Sequence, residues 1–271
     1  MEKIKVLFVF QEITPYLPET DMSYIGRYLP QGVQESGKEI RTFMPKYGCI
    51  NERRNQLHEV IRLSGMNMII NDTDHPLIIK VASIQSARMQ VYFIDNEDYF
   101  QRKSVLQDEH DRSFHDNDER SIFYVRGVLE TVKKLRWAPD IIHCHGWISS
   151  LIPLYVKKSF REDPLFHESK VIYSVYNDYF DKSLDRKYKD KAKIDGVREK
   201  DLAIVKKPDY VNINKLAITF SDGIIIASEQ INNEVSEFIS ASEKPVLPFQ
   251  TRENLITSYS DFYQKLLDSR N

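Results

Sequence analysis

The sequence predicts an α/β domain built on a doubly wound, mostly parallel sheet. Three observations carry this. The run from Ile4 to Phe10 is apolar at nearly every position, the mark of a strand covered on both faces by helices. Strand-like and helix-like patterns then alternate along the chain, which is the order of an α/β fold. A second apolar run, from Asp140 to His145, ends in polar residues where a loop should start.

The elements follow in order. After the first strand, Met22 to Ser36 reads as a helix, with Ile25, Leu29 and Val33 at helical spacing and Gly37 as its stop. Ile40 to Met44 is a second strand, closed by Pro45, and the strand–helix–strand order predicts a right-handed crossover. Residues 59–95 hold short β-like runs at 59–63, 67–70, 77–84 and 90–94, read as hairpins inserted near the sheet. Residues 98–118 read as a polar loop with a short helix. Residues 119–136 form a well-marked helix carrying Ile122, Phe123, Val125, Val128, Leu129, Val132 and Leu135. Strands are expected at 140–145, 170–175 and 223–227, with helices at 148–160, 211–219 and 230–240. A final amphipathic helix, 252–269, carries Leu255, Ile256, Tyr259, Phe262 and Leu266. The whole reads as a Rossmann-like domain over residues 1–250, with 251–271 packing back on it.

Composition narrows the function. The chain has 271 residues and a formal net charge of -2, with no basic cluster suited to nucleic acid. No run approaches the roughly 18–20 apolar residues of a membrane span, and no signal-peptide pattern opens the chain. Two cysteines, Cys49 and Cys144, do not make a disulfide framework. The expected setting is cytoplasmic. Only 9 glycines are present, about half the usual share of roughly 7%, and the loop from Gln11 to Tyr24 has neither glycine nor lysine. A phosphate cradle needs the close backbone approach that glycine permits. The dense mixed-sign charge at Asp181–Lys207 reads as a solvated helix or loop.

Five segments together resemble the N-terminal domain of bacterial glycogen synthases and starch synthases. They are Lys5-Val-Leu-Phe-Val-Phe-Gln-Glu12-Ile-Thr-Pro15; Leu29-Pro30 with Met44-Pro45-Lys46-Tyr47-Gly48; Val91-Tyr-Phe-Ile-Asp95-Asn96-Glu-Asp-Tyr99-Phe100; Asn117-Asp-Glu-Arg120 with Phe123; and Asp140-Ile-Ile-His143-Cys-His145-Gly-Trp147 with Pro153-Leu-Tyr155. Asn212, Lys215, Ser221-Asp222 and Ser228 fall where that domain's last helix and strand lie. The resemblance runs from about residue 4 to 230. It implies the N-terminal half of a GT-B fold, and a reaction class in which glucose passes from ADP-glucose to an α-1,4-glucan. It also implies possible partners: α-glucan, ADP-glucose, a full-length synthase or a separate C-terminal domain.

The departures are as specific. Where the family has Lys-Thr-Gly-Gly-Leu to meet the nucleotide-sugar phosphates, this chain has Pro18-Glu19-Thr20-Asp21-Met22. Carboxylates stand where pyrophosphate would bind, and two like charges about 4 Å apart repel by roughly 4 kcal/mol at an effective dielectric of 20. The Asp of the family's His-Asp-Trp is Gly146, and the His of its Thr-x-His-Asn is Tyr176. The chain ends where a GT-B second domain would begin. These points favour a non-catalytic glucan-binding or regulatory relative. An active half needing a separate C-terminal domain, or a binder of another sugar or nucleotide, are the alternatives.

Among candidate site residues, the resemblance places His145 at the cleft floor as the catalytic candidate. The plain alternative is a strand-end histidine kept for packing. His143 shares its face of the strand and reads as core. Cys144 projects oppositely, so His143-Cys144-His145 is not read as a metal site; no metal or other cofactor is expected. Glu12, Glu19 and Asp21 cluster in one loop as carboxylates, either solvated or paired as in glycosidases. Asp95, Asn96, Asn117 and Arg120 read as acceptor-side contacts or as scaffold. Trp147, Tyr176, Asn177 and Tyr179 offer the aromatic faces and amides that suit a pyranose, or ordinary packing. The final helix is expected to cover apolar surface that an isolated half would expose.

Overall fold

A computed structural model describes residues 3–269; positions 1–2 and 270–271, the outer ends of the two expected segments, lie outside the described residues. The chain runs β1 (Lys5–Val9), α1 (Asp21–Glu35), β2 (Glu39–Pro45), β3 (His58–Glu59), β4 (Met66–Ile70), β5 (Thr73–Ile84), β6 (Met89–Asp95) and α2 (Glu97–Phe100). It continues with α3 (Asn117–Lys134), β7 (Ile141–His145), α4 (Leu151–Lys158), β8 (Lys170–Val175), α5 (Tyr188–Lys191), α6 (Tyr210–Phe220), β9 (Gly223–Ile226), α7 (Asn233–Ala241), β10 (Val246–Leu247) and α8 (Leu255–Asp268).

Among the described residues the strand order is β10-β9-β8-β7-β1-β2-β6-β5-β3, with β4 pairing β5. From β10 to β6 every pairing is parallel, while β3, β4 and β6 each run antiparallel to β5. The α/β, Rossmann-like reading therefore holds. β6 corrects one part of it: expected in an inserted hairpin, it lies beside β2 as a parallel member of the main sheet. Its residues Val91, Phe93 and Ile94 have no exposed surface, as a strand covered on both faces requires.

The order matters for function. From β1 the chain winds outward through β2 on one side, then returns to build β7, β8, β9 and β10 on the other. The switch point lies between β1 and β7, and open α/β sheets bind ligands in the crevice outside the carboxyl ends of such strands. The loops carrying Glu12 and Gly146–Trp147 leave those two ends.

The last helix packs onto the body. Tyr259, Phe262, Tyr263 and Leu266 of α8 are buried. A Cβ added at Gly223 would lie 2.7 Å from Leu266 Cδ1, and one at Gly32 would lie 2.4 Å from Ile256 Cδ1, so both glycines make room for this helix. A polar clasp joins the interface: His143 Nδ1 lies 2.7 Å from the Tyr263 hydroxyl, and its Nε2 lies 2.7 Å from Ser174 Oγ.

The charged stretch 181–207, read as a solvated helix or loop, is partly helical and less solvated than expected. It holds α5 and a 3-10 segment over Glu199–Lys206, and buries Tyr188, Leu202 and Val205. Lys191 reaches Asp118 and Glu119 of α3 at 2.7 and 2.8 Å. No helix among the described residues is long and apolar enough to cross a membrane.

Candidate functional site

Two recesses open at the carboxyl ends of β1, β7 and β8, and they share Glu12 and Asp178 as lining residues. Their volumes are 420 and 480 Å³, within the range of about 300–1,000 Å³ usual for small-molecule sites. The first is lined by Gln11, Asn117, Trp147, Tyr179 and Lys182 among others. The second is lined by Thr20, Asp21, Tyr176, Asn177, Ser228 and Glu229 among others.

Glu12 is fixed by the start of α1. Thr20 is the N-cap of that helix: its Oγ1 accepts from Ser23 N at 3.0 Å, and Ser23 Oγ accepts from Thr20 N at 2.8 Å. This reciprocal pair is a capping box. The Thr20 hydroxyl in turn donates to Glu12 Oε2 at 2.8 Å. Glu19 and Asp21 turn the other way, toward Arg252 at 3.3 and 3.8 Å. The Arg252 guanidinium also stacks over Tyr24, 3.8 Å from the ring centroid. The three loop carboxylates thus split between the recess and the C-terminal segment, with Asp21 also lining the second recess.

His145 has no exposed surface. Its ring stacks on Phe10 and contacts His143, each at 3.8 Å between centroids. Nδ1 lies 2.8 Å from the Tyr176 hydroxyl, and Nε2 has no partner among the described residues. Burial pushes its pKa well down, and His143 adds to this, so the ring is neutral near pH 7. His145 reaches the recess only through Tyr176, which lines it. No group of three or more metal-binding side chains occurs among the described residues.

The remaining candidates divide. Asn117 lines the first recess while its Nδ2 donates to Leu106 O at 2.8 Å and its Oδ1 accepts from Arg120 at 2.7 Å. Arg120 is wholly buried, with Nε donating to Tyr99 O at 2.8 Å. Asp95 pairs with Lys80 at 2.9 Å, and Lys80 also holds Glu52. Asn96 caps α2 by accepting from the Asp98 and Tyr99 amides. The structure therefore gathers Glu12, Thr20, Asp21, Asn117, Trp147, Tyr176 and Asn177 around the recesses, whereas Asp95, Arg120, Pro18 and Glu19 do not line them.

Several lining residues were not singled out from sequence, among them Gln11, Lys182, Glu229 and Asp178. Asp178, in the loop after β8, stands at the junction of the two recesses. Its Oδ2 accepts from the Trp147 amide at 2.9 Å, and its Oδ1 lies 3.1 Å from the Tyr210 hydroxyl. Among the described residues it forms no ion pair. Burial raises its pKa to about 6, with Glu12 adding to the rise and the two hydrogen bonds opposing it. The strand-end rule that selected Tyr176 and Asn177 applied equally to Asp178.

Comparison with known proteins agrees with this frame. A starch synthase catalytic domain model matches residues 5–244. A glycogen synthase from Chlorobium limicola is 39% identical over 176 residues, covering 65% of this chain and 36% of the relative. One from Chlorobaculum parvum is 31% identical over 237 residues, 86% and 47% of the two chains. The chain thus spans about a third to a half of the curated relatives it matches. The fold also matches the catalytic domain of starch synthase IV from Arabidopsis thaliana, bound to ADP and acarbose. That superposition has a TM-score of 0.74 at 15% identity, over 92% of this chain and 52% of the other. Parallel sheet, switch-point recess and family match converge: the chain belongs to the starch synthase catalytic-domain family, with the glycogen synthases as its relatives.

Proposed function

We propose that this chain binds α-glucan in the paired recesses and does not by itself transfer glucose from ADP-glucose. One observation carries the reading: the second recess, beside the N-terminus of α1, is lined by Glu12, Asp21, Asp178 and Glu229 and by no lysine or arginine. A helix N-terminus next to a switch point is where phosphates bind. Here that end is met by the protein's own carboxylates. A pyrophosphate entering would face repulsion of roughly 4 kcal/mol for each like pair about 4 Å apart, at an effective dielectric of 20. Neutral sugar hydroxyls meet the opposite situation, since carboxylates and amides accept and donate to them. The 55%-exposed Tyr179 supplies aromatic surface at the first recess for the apolar side of a pyranose, while Trp147 is 2% exposed and packs its ring against Phe180.

In this reading His145 supports Tyr176 from behind, and Arg120 orients Asn117; neither touches the ligand. The starch synthase IV domain that shares this fold was bound to both ADP and acarbose, so it does not separate the two ligand classes; the charge of the second recess does. A second reading, an active transferase half completed by a separate C-terminal domain or a full-length synthase, is supported by the family match running through residue 244.

The test is thermal unfolding with maltoheptaose or ADP-glucose. A ligand at a hundred times its Kd stabilises the native state by about 2.7 kcal/mol. Stabilisation by maltoheptaose alone is expected, and stabilisation by ADP-glucose alone overturns the reading. Labelled glucose entering glycogen with this chain as sole protein overturns its non-catalytic part. Incorporation only after a C-terminal domain is added favours the second reading.

A further inference from the structure

We propose that Asp178 supplies, from the loop after β8, the carboxylate that position 146 lacks, and that it holds the hydroxyls of the bound saccharide. This rests on the glucan-binding reading above and names the residue on which that binding turns.

The geometry is specific. Gly146 has φ 78° and ψ 165°, a region that residues with a Cβ essentially avoid. A Cβ placed there would lie 2.9 Å from Asp178 Oδ2 and 2.7 Å from Met22 Cε. The methionine terminus is flexible and could yield. The carboxylate is pinned by the Trp147 amide, whose residue directly follows Gly146. Asp178 Oδ2 therefore occupies the space that a side chain at 146 would enter. In a chain whose His-Asp-Trp signature has become His145-Gly146-Trp147, a carboxylate stands at that place by another route.

The arrangement is built to meet a ligand. An ionised carboxylate offers about four lone-pair directions; the Trp147 amide donates to Asp178 Oδ2, and the Tyr210 hydroxyl lies 3.1 Å from Oδ1. The Tyr210 proton has a nearer acceptor, Tyr176 O at 2.6 Å. Acceptor capacity is thus left over at the junction of the recesses. Glu12 shares that junction, its oxygens accepting from Thr20 and Gln11. Gln11 is 3% exposed and lines the first recess, and its Oε1 has no partner among the described residues. Buried polar groups are normally satisfied, so an unpartnered amide oxygen in the recess that Asp178 also lines is the pattern of a site completed by hydroxyl donors.

The experiment is calorimetric titration of maltoheptaose into the full chain, Asp178→Asn, Gly146→Asp, and the exchange Gly146→Asp/Asp178→Gly, with circular dichroism and thermal melts on each. Asp178→Asn is expected to fold and to weaken binding about 10- to 100-fold, as for a lost hydrogen bond to a charged group. Gly146→Asp alone is expected to lose binding through collision with Asp178, and the exchange, which removes that collision but keeps the strain at positive φ, to bind more tightly than Gly146→Asp and less tightly than wild type. Wild type that binds, with Asp178→Asn within about twofold of it, overturns this inference while leaving the glucan reading intact. Wild type that does not bind removes both. Should the Gly146 variants fail to fold, Asp178→Asn decides alone.

Discussion

Asp178 carries a cost in the folded protein, and that cost can be measured. Burial lifts its pKa from an ordinary 3.8 to about 6. One pKa unit corresponds to about 1.4 kcal/mol, which sets the penalty on the charged form at roughly 3 kcal/mol. Asp178 is half-buried beside an open recess, and solvent there screens part of this, leaving about 1–3 kcal/mol. The sign follows from proton binding. Folded Asp178 holds its proton more tightly than the unfolded chain does, so stability falls as pH rises from about 4 to about 6, and the full cost is present above that window. The Asp178→Asn amide removes the charge and keeps the contacts. Its oxygen accepts from the Trp147 amide, and its nitrogen donates to the Tyr210 oxygen, whose own proton goes to Tyr176 O. Urea unfolding followed by tryptophan fluorescence should therefore find Asp178→Asn more stable than wild type by about 1–3 kcal/mol at pH 7.5. The two should be equal within about 0.5 kcal/mol near pH 4. A variant less stable at pH 7.5, or a difference that does not change with pH, would refute the reasoning.

Three further outcomes follow from the same contacts. Tyr263→Phe leaves His143 Nδ1 buried without its partner and should cost about 1–3 kcal/mol in urea unfolding, with maltoheptaose affinity unchanged. Gly146→Ala places a methyl at positive φ against Asp178 and should lower stability by about 1–3 kcal/mol while weakening saccharide binding. Arg252→Ala removes exposed pairs to Glu19 and Asp21 and the stack on Tyr24. The loss should be about 1–2 kcal/mol, its ion-pair part fading as salt is raised.

The parallel strands were legible because burial on both faces leaves nearly unbroken apolar runs, as in Val6–Phe10 and Val171–Val175. β5 was read short, from Leu77, because Asn71 to Pro76 looks like a turn. Only Asn71 and Asp72 turn, at φ 50° and 61°, and the strand starts at Thr73. Pro76 fits there because pairing to β6 begins only at Ile78, so its missing N–H breaks no ladder there. The order in 181–207 was hidden by sparse apolar residues; Tyr188 and Leu202 insert singly between charges. Within the site, Trp147, Tyr176 and Asn177 announced themselves by chemical type. Asp178 did not, since a lone loop aspartate reads as solvated, and its meaning lies in the space left by Gly146, thirty-two positions earlier in the chain.

The two departures from the family pattern act on one cleft. On the resemblance, Pro18-Glu19-Thr20-Asp21-Met22 stands where the family has a lysine and two glycines, so the start of α1 offers no positive charge there, and the helix end is satisfied internally by the Thr20–Ser23 capping box. Exchanging an aspartate for Gly146 would by itself leave that cleft with one carboxylate fewer; Asp178 restores it. Either change alone would leave a mismatch: a cationic loop beside desolvated acids, or an acidic loop beside a gap. Together they give a recess with acceptor oxygens and aromatic surface, and with its loop acids balanced on the outer side by Arg252. Such a recess discriminates by charge before it discriminates by shape. Phosphate on a ligand should therefore weaken binding regardless of which sugar carries it, and maltose 1-phosphate should bind less tightly than maltose. Equal affinities for that pair would mean that the carboxylates do not face the ligand, and the electrostatic account of this cleft would fall with them.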